Sequence, residues 1–86
     1  MDIKVIVNII VPEIDQTYDV YLPVNKKLGN IVLLLNKAIN EITNGTYPLS
    51  QSNLLYNVDT KEIYQPDILL QNTDIRNGSK LVLINY

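Results

Sequence analysis

Ile3, Val5, Val7, Ile9 and Val11 fall on alternate positions at the start of the chain. A period of two in β-branched residues predicts a strand with one buried face. The intervening Lys4, Ile6, Asn8 and Ile10 make the other face only half polar. Pro12-Glu13-Ile14-Asp15-Gln16 then interrupts with a residue that has no N–H for a ladder and a turn-favouring Asp, predicting a hairpin. Thr17 to Leu22 alternates again, with Tyr18, Val20 and Leu22 on one side and Asp19 and Tyr21 on the other. The second strand ends at Pro23.

Between Leu28 and Thr43 the period changes. Apolar residues recur at Leu28, Ile31, Val32, Leu35, Ala38, Ile39 and Ile42, with Asn30, Lys37, Asn40 and Glu41 between them. That spacing predicts an amphipathic helix. Asn44-Gly45 is its stop signal, and Asn25 is the nearest good capping residue at its start. Gly29, near the start, has no explanation in the sequence.

After a polar connection over Thr46 to Asn53, Leu54-Leu55-Tyr56-Asn57-Val58 reads as a third strand. Asp59-Thr60-Lys61 reads as a turn into a short strand at Glu62-Ile63-Tyr64, and Ile68 to Asp74 has room for one helical turn. Asn77-Gly78 supplies positive φ before a last strand over Lys80 to Asn85. A β-β-α-β-β-β order fits one helix packed diagonally on one face of a mixed sheet. A right-handed crossover sets the first and last strands side by side in its middle, where the most apolar segments belong. The expected fold class is α+β, a β-grasp, as a single domain over residues 1–86.

Composition narrows the chemistry. The 47% hydrophobic and 19% charged residues are a globular mixture, well away from that of disorder. With no Phe and no Trp, the core volume must come from Ile, Leu, Val and Tyr; Tyr18 and Tyr56 are expected inside, Tyr21 and Tyr64 at outward or edge positions. A net charge of −2 gives no attraction to phosphate backbones, so nucleic acid is not an expected partner. Lys26-Lys27 is the only basic pair and reads as solvated surface. No cysteine excludes thiolate chemistry and disulfides, and favours a reducing, cytoplasmic setting.

No histidine removes the commonest general base and metal ligand, leaving Ser and Thr without an activating partner. Asp15 with Asp19, and Asp59 with Glu62, flank turns and read as solubilising carboxylates. The expectation is no catalytic residues, no metal and no cofactor. Met1-Asp2-Ile3-Lys4 lacks a secretory pattern, and Ile31 to Leu35 is far shorter than the roughly 20 residues of a membrane span.

If Ile3, Val5, Val7, Ile9, Leu81 and Leu83 face the helix, then Ile6, Ile10, Val82 and Ile84 point the other way. The same alternation puts Leu55 with them, and Ile14 at the hairpin tip beside them. An apolar patch on a face that a monomer would make polar predicts a contact surface, to a partner or to a second copy in a homodimer.

The segments Leu54-Leu55-Tyr56, Leu70 and Ile75-Arg76-Asn77-Gly78-Ser79-Lys80-Leu81 with Leu83 have the apolar spacing of ubiquitin-like proteins, which the chain resembles. Thr17-Tyr18-Asp19-Val20, Leu22-Pro23 leading into the helix, and Asn77-Gly78 before the last strand resemble the small YukD/EsaB proteins of bacterial type VII secretion systems. The likeness runs from Ile3 to Ile84. It implies a non-catalytic accessory protein that binds a cytosolic component of a secretion machine through its sheet face, without entering the membrane. Two other readings stay open. A carrier or modifier activated at its C-terminus would need a terminal Gly-Gly where this chain reads Asn85-Tyr86, and an orphan dimeric β-grasp module would have no link to secretion.

Overall fold

A computed structural model describes residues 3–49 and 53–85, the last by its backbone only. Met1-Asp2, positions 50–52 and Tyr86, on which the readings of the two termini and of the polar connection partly rest, lie outside the described residues.

Strand β1 (Lys4–Val11) runs through a 3-10 turn at Pro12–Ile14 into β2 (Gln16–Pro23). Helix α1 spans Leu28–Ile42, β3 spans Asn53–Asn57 and β4 spans Lys80–Asn85. The sheet order is β2-β1-β4-β3, with β1 and β4 parallel at the centre and the outer pairs antiparallel. This is the expected mixed sheet with one crossover helix. The short strand expected at Glu62-Ile63-Tyr64 is reduced to one bridge, Tyr56 to Ile63. The helical turn expected within Ile68 to Asp74 is a 3-10 turn at Leu70–Asn72.

The core lies between α1 and one sheet face. Val7, Ile9, Val11, Leu22, Leu55, Leu81 and Leu83 from the strands pack on Leu28, Ile31, Leu35 and Ile39 from the helix. Tyr18 and Val20 pack partly buried at its margin. Ile3, expected inside, is exposed because β1 begins only at Lys4. On the helix, Ile42 is exposed and Asn36 is buried, the reverse of their polarity.

Both ends of α1 are set by specific backbone contacts. At the start, Lys27 caps without a side-chain bond. The orphan N–H groups of Leu28 and Gly29 donate instead to the carbonyls of Ile68 and Pro66, at 2.9 and 2.8 Å. This explains Gly29: a Cβ there would come within 3.0 Å of the Pro66 oxygen and 2.9 Å of its Cβ. At the far end, Asn44 and Gly45 both take positive φ, and the Gly45 N–H reaches the Asn40 carbonyl.

Candidate functional site

The outer sheet face follows from parity and register. On β1, Ile6, Asn8 and Ile10 are half-buried between inward residues; on β4, Val82 and Ile84 are half-buried and Lys80 is exposed. On β3 the outward pair is Leu54 and Tyr56, both half-buried. Pairing places Thr17 beside Ile10, Ile10 beside Val82, Val82 beside Tyr56 and Tyr56 beside Ile63. Ile84 lies beside Leu54 in the next row. Ile10, Val82, Tyr56, Ile63, Ile84 and Leu54 therefore form one apolar surface across three strands and the bridge.

The next row in the other direction is polar: Asp19, Asn8 and Lys80, with the Asn8 amide donating to the Asp19 carboxylate at 3.0 Å. Beyond it Ile6 pairs with Tyr21. The expected patch is thus divided. Ile10, Val82 and Ile84 are together, and Ile6 is across the polar row from them.

Two expected members are not on this face. Leu55 is 2% exposed and belongs to the core. Strand β3 is out of step with the sequence reading by one residue, and a one-residue slip turns every side chain over. The slip arose because Asn53 and Asn57 look like outward residues, whereas both point inward and are buried. Tyr56, expected inside, turns outward for the same reason. Ile14, on the 3-10 turn, packs against the core cluster and not beside the outer patch.

What holds those asparagines inside is a pair of hydrogen-bonded networks. The Asn36 side-chain amide donates to the Asn53 side-chain oxygen at 2.8 Å, the Asn53 side-chain amide donates to the Tyr47 hydroxyl at 3.0 Å, and that hydroxyl donates to the Asn36 side-chain oxygen at 3.3 Å. The ring ties α1 to β3 and to the loop after the helix. Burial raises the Tyr47 pKa, so the hydroxyl stays a donor. Tyr47 is fully buried, a core residue that its polar surroundings concealed in the sequence.

In the second network, the Asn57 amide donates to the Tyr64 hydroxyl at 3.0 Å, and that hydroxyl donates to the Asp74 carboxylate. The Asn57 side-chain oxygen accepts from the N–H groups of Asp59 and Thr60, shaping the turn. Burial, then the hydrogen bond to Asp74, pushes the Tyr64 hydroxyl up to about 12. The same hydrogen bond holds Asp74 below the usual carboxylate range.

An open groove of about 780 Å³ runs between α1 and the β3 edge, lined in part by Gly29, Val32, Leu33, Asn53, Ile63 and Pro66. Among the described residues, no three acidic side chains converge as a metal site would require, and no helix is long and apolar enough to cross a membrane.

No family model and no curated protein matches the chain. Solved structures do. A chain of the MycP5-free ESX-5 inner membrane complex superposes with a TM-score of 0.75 at 22% identity, over 94% of this chain and 20% of that one. This chain therefore spans only a fifth of that relative's length. The ubiquitin-like domain of the Mycobacterium tuberculosis type VII secretion system protein EccD1 gives 0.72 at 15% identity, covering 96% of this chain and 99% of that domain. Ubiquitin from Caldiarchaeum subterraneum gives 0.68 at 13% identity, over 96% and 94% of the two chains. At these identities the likeness speaks for the fold, and the strand order and crossover agree with it: the chain has the ubiquitin-like β-grasp fold.

Proposed function

We propose that this chain is a non-catalytic ubiquitin-like adaptor, a single domain in the cytoplasm of a bacterium, that docks through its outer sheet face on a cytosolic protein component of a type VII secretion machine. The observation that carries the docking reading is the unbroken apolar row Ile10, Val82, Tyr56 and Ile63, extended by Ile84 and Leu54. Apolar side chains that span several strands on a face not covered by the helix favour a partner. The structural likeness to a ubiquitin-like domain of a type VII protein, together with the YukD/EsaB resemblance, supports secretion as the setting.

The row also suggests how the contact is built. Val82 lies at its centre with neighbours on both sides, where hot-spot residues concentrate, and the polar row of Asp19, Asn8 and Lys80 forms one rim. Titration calorimetry of the full chain against purified cytosolic domains of the source bacterium's type VII machine tests this. Val82→Asp and Tyr56→Asp are expected to weaken binding by at least about thirtyfold, equivalent to ~2 kcal/mol at a hot spot. Ile6→Asp, beyond the polar row, is expected to have a smaller effect. Wild-type affinity in both central variants would place the contact elsewhere.

A further inference from the structure

Two Asn-Gly pairs occur in the chain, Asn44-Gly45 after α1 and Asn77-Gly78 before β4. In this dipeptide the main-chain nitrogen readily attacks the preceding side-chain amide, because glycine has no Cβ to obstruct the approach. The Gly nitrogen gives up its proton and bonds to the Asn Cγ, the Cγ–Nδ2 bond breaks, and ammonia leaves. Water then opens the cyclic imide at one carbonyl or the other. The product is aspartate, or a β-aspartyl link that carries the main chain through the side chain. Both asparagines are exposed, so access alone does not separate them.

Their hydrogen-bond partners do. At Asn77 the attacked carbonyl and the attacking nitrogen are both held by one residue. The Ile6 N–H donates to the Asn77 side-chain oxygen at 2.9 Å, and the Gly78 N–H donates to the Ile6 carbonyl at 2.9 Å. The next bond along, from the Asn8 N–H to the Ser79 carbonyl, is also 2.9 Å, so Asn77 continues the β1–β4 pairing with its side chain. Freeing it means parting the two central strands, and central strands open only with the whole fold. At Asn44 the side chain makes no hydrogen bond among the described residues. Of the reacting groups only the Gly45 N–H is held, by the Asn40 carbonyl at 2.8 Å, at the end of a helix whose Glu41 and Ile42 are exposed. Such ends fray while the rest stays folded.

We propose that Asn44 is a site of spontaneous deamidation in the folded protein, that pairing with Ile6 protects Asn77, and that the product at Asn44 loosens the buried ring around Tyr47. Asn44, Gly45 and Thr46 alone separate Thr43 from Tyr47. The Tyr47 N–H donates to Thr43 Oγ1 at 3.0 Å, and its carbonyl accepts from the Asn40 side-chain amide at 2.7 Å. A β-aspartyl link lengthens the main chain between these fixed points. Tyr47 then cannot keep both bonds and its place against Asn36 and Asn53. The new carboxylate also stands at the C-terminal end of α1, where the carbonyl dipoles repel it and no basic residue in the last turn offsets it. The age of the folded chain is thereby coupled to its stability.

The full chain is aged in mildly alkaline buffer, once folded and once unfolded in guanidinium, and both sites are followed by peptide mapping with mass spectrometry. In the folded chain Asn44 is expected to react more than about tenfold faster than Asn77, and in the unfolded chain the two rates should converge. Equal rates in the folded chain, or no reaction at Asn44 until the chain unfolds, would overturn the assignment. The β-aspartyl product at position 44, recognised by enzymatic methylation of its free carboxyl, is separated by ion exchange and melted beside Asn44→Asp. That variant carries the charge without the longer main chain, so the β-aspartyl form should melt at least about 4 °C below it. Coincident melting curves would overturn the link to Tyr47.

Discussion

The two faces of the sheet differ less in hydrophobicity than in how their polar groups are treated. The inner face holds Val7, Ile9, Val11, Leu22, Leu55, Leu81 and Leu83, yet it also buries Asn53 and Asn57. The outer face carries Ile10, Leu54, Tyr56, Val82 and Ile84, half-buried by one another and without a covering helix. Each inner asparagine amide is engaged from both ends by side chains or turn amides. Partnered amides tolerate burial, whereas apolar groups on an open face gain only from what is laid over them. The lesson is that side-chain polarity alone does not identify a face; the availability of hydrogen-bond partners does.

The same charge placed on neighbouring residues of β4 separates the two faces most strongly. Leu83→Asp forces a carboxylate into the core among groups that offer it no partner, and is expected to remove more than about 4 kcal/mol, enough to unfold much of the protein. Val82→Asp, one residue away on the outer face, should lose about 1 kcal/mol. Urea unfolding of both variants measures the difference. Equal destabilisation would mean that the outer face is as closed as the inner one, and the docking reading would lose its basis.

A smaller effect is expected from the inner asparagines. Asn53→Leu restores the residue type that sequence logic assigns to an inward strand position, and adds apolar volume. It also deletes the hydrogen bonds that Asn53 makes with the Asn36 amide and with the Tyr47 hydroxyl. Two buried hydrogen bonds together contribute about 1–3 kcal/mol, more than the gain from one leucine that must fit a space shaped for an amide. The variant should therefore lose about 2 kcal/mol in urea unfolding, and a stabilised Asn53→Leu would show that the ring is tolerated and not needed.

That ring also marks where sequence reading stopped. The central pair, the hairpin, the helix and the turn at Asn77-Gly78 were legible because each rests on local periodicity or on one residue's backbone freedom. β1 and β4 gave the correct outward sides for Ile6, Ile10, Val82 and Ile84, since Val7, Ile9, Val11, Leu81 and Leu83 mark the inward positions as apolar. β3 did not, because its inward positions alternate Asn53, Leu55, Asn57, and their partners Asn36, Tyr47 and Tyr64 are distant in sequence. Leu54, Tyr56 and Ile63 were missed as surface members as a direct consequence. Ile14 was misplaced because nothing in a five-residue turn tells which way its apolar residue folds.

The smallest effect sought is at neutral pH and the most diagnostic is at the extremes. Tyr64 holds Asn57 inward from one side and bonds Asp74 on the other. Its folded pKa, about 12, lies above the ordinary phenol value of 10.0, so the neutral phenol is the form the fold favours. Stability from this source is complete below about pH 10 and drains away as pH rises from there towards 12. Asp74 has the opposite sign: its folded pKa lies below the ordinary carboxylate value of 3.8, so its contribution is present above that value and is lost as pH falls through the depressed one. Tyr64→Phe removes the first linkage and weakens the second, because it deletes the phenol and with it the largest of the interactions that depress Asp74. At pH 7 the variant should be only about 1 kcal/mol less stable, the net worth of hydrogen bonds to a half-buried hydroxyl. Its melting temperature should then fall less steeply than the parent's both above pH 10 and below pH 4. Parallel profiles for the two proteins at both ends would show that Asn57 is held inward by its turn amides alone, and that the Tyr64–Asp74 pair takes no part in keeping β3 turned as it is.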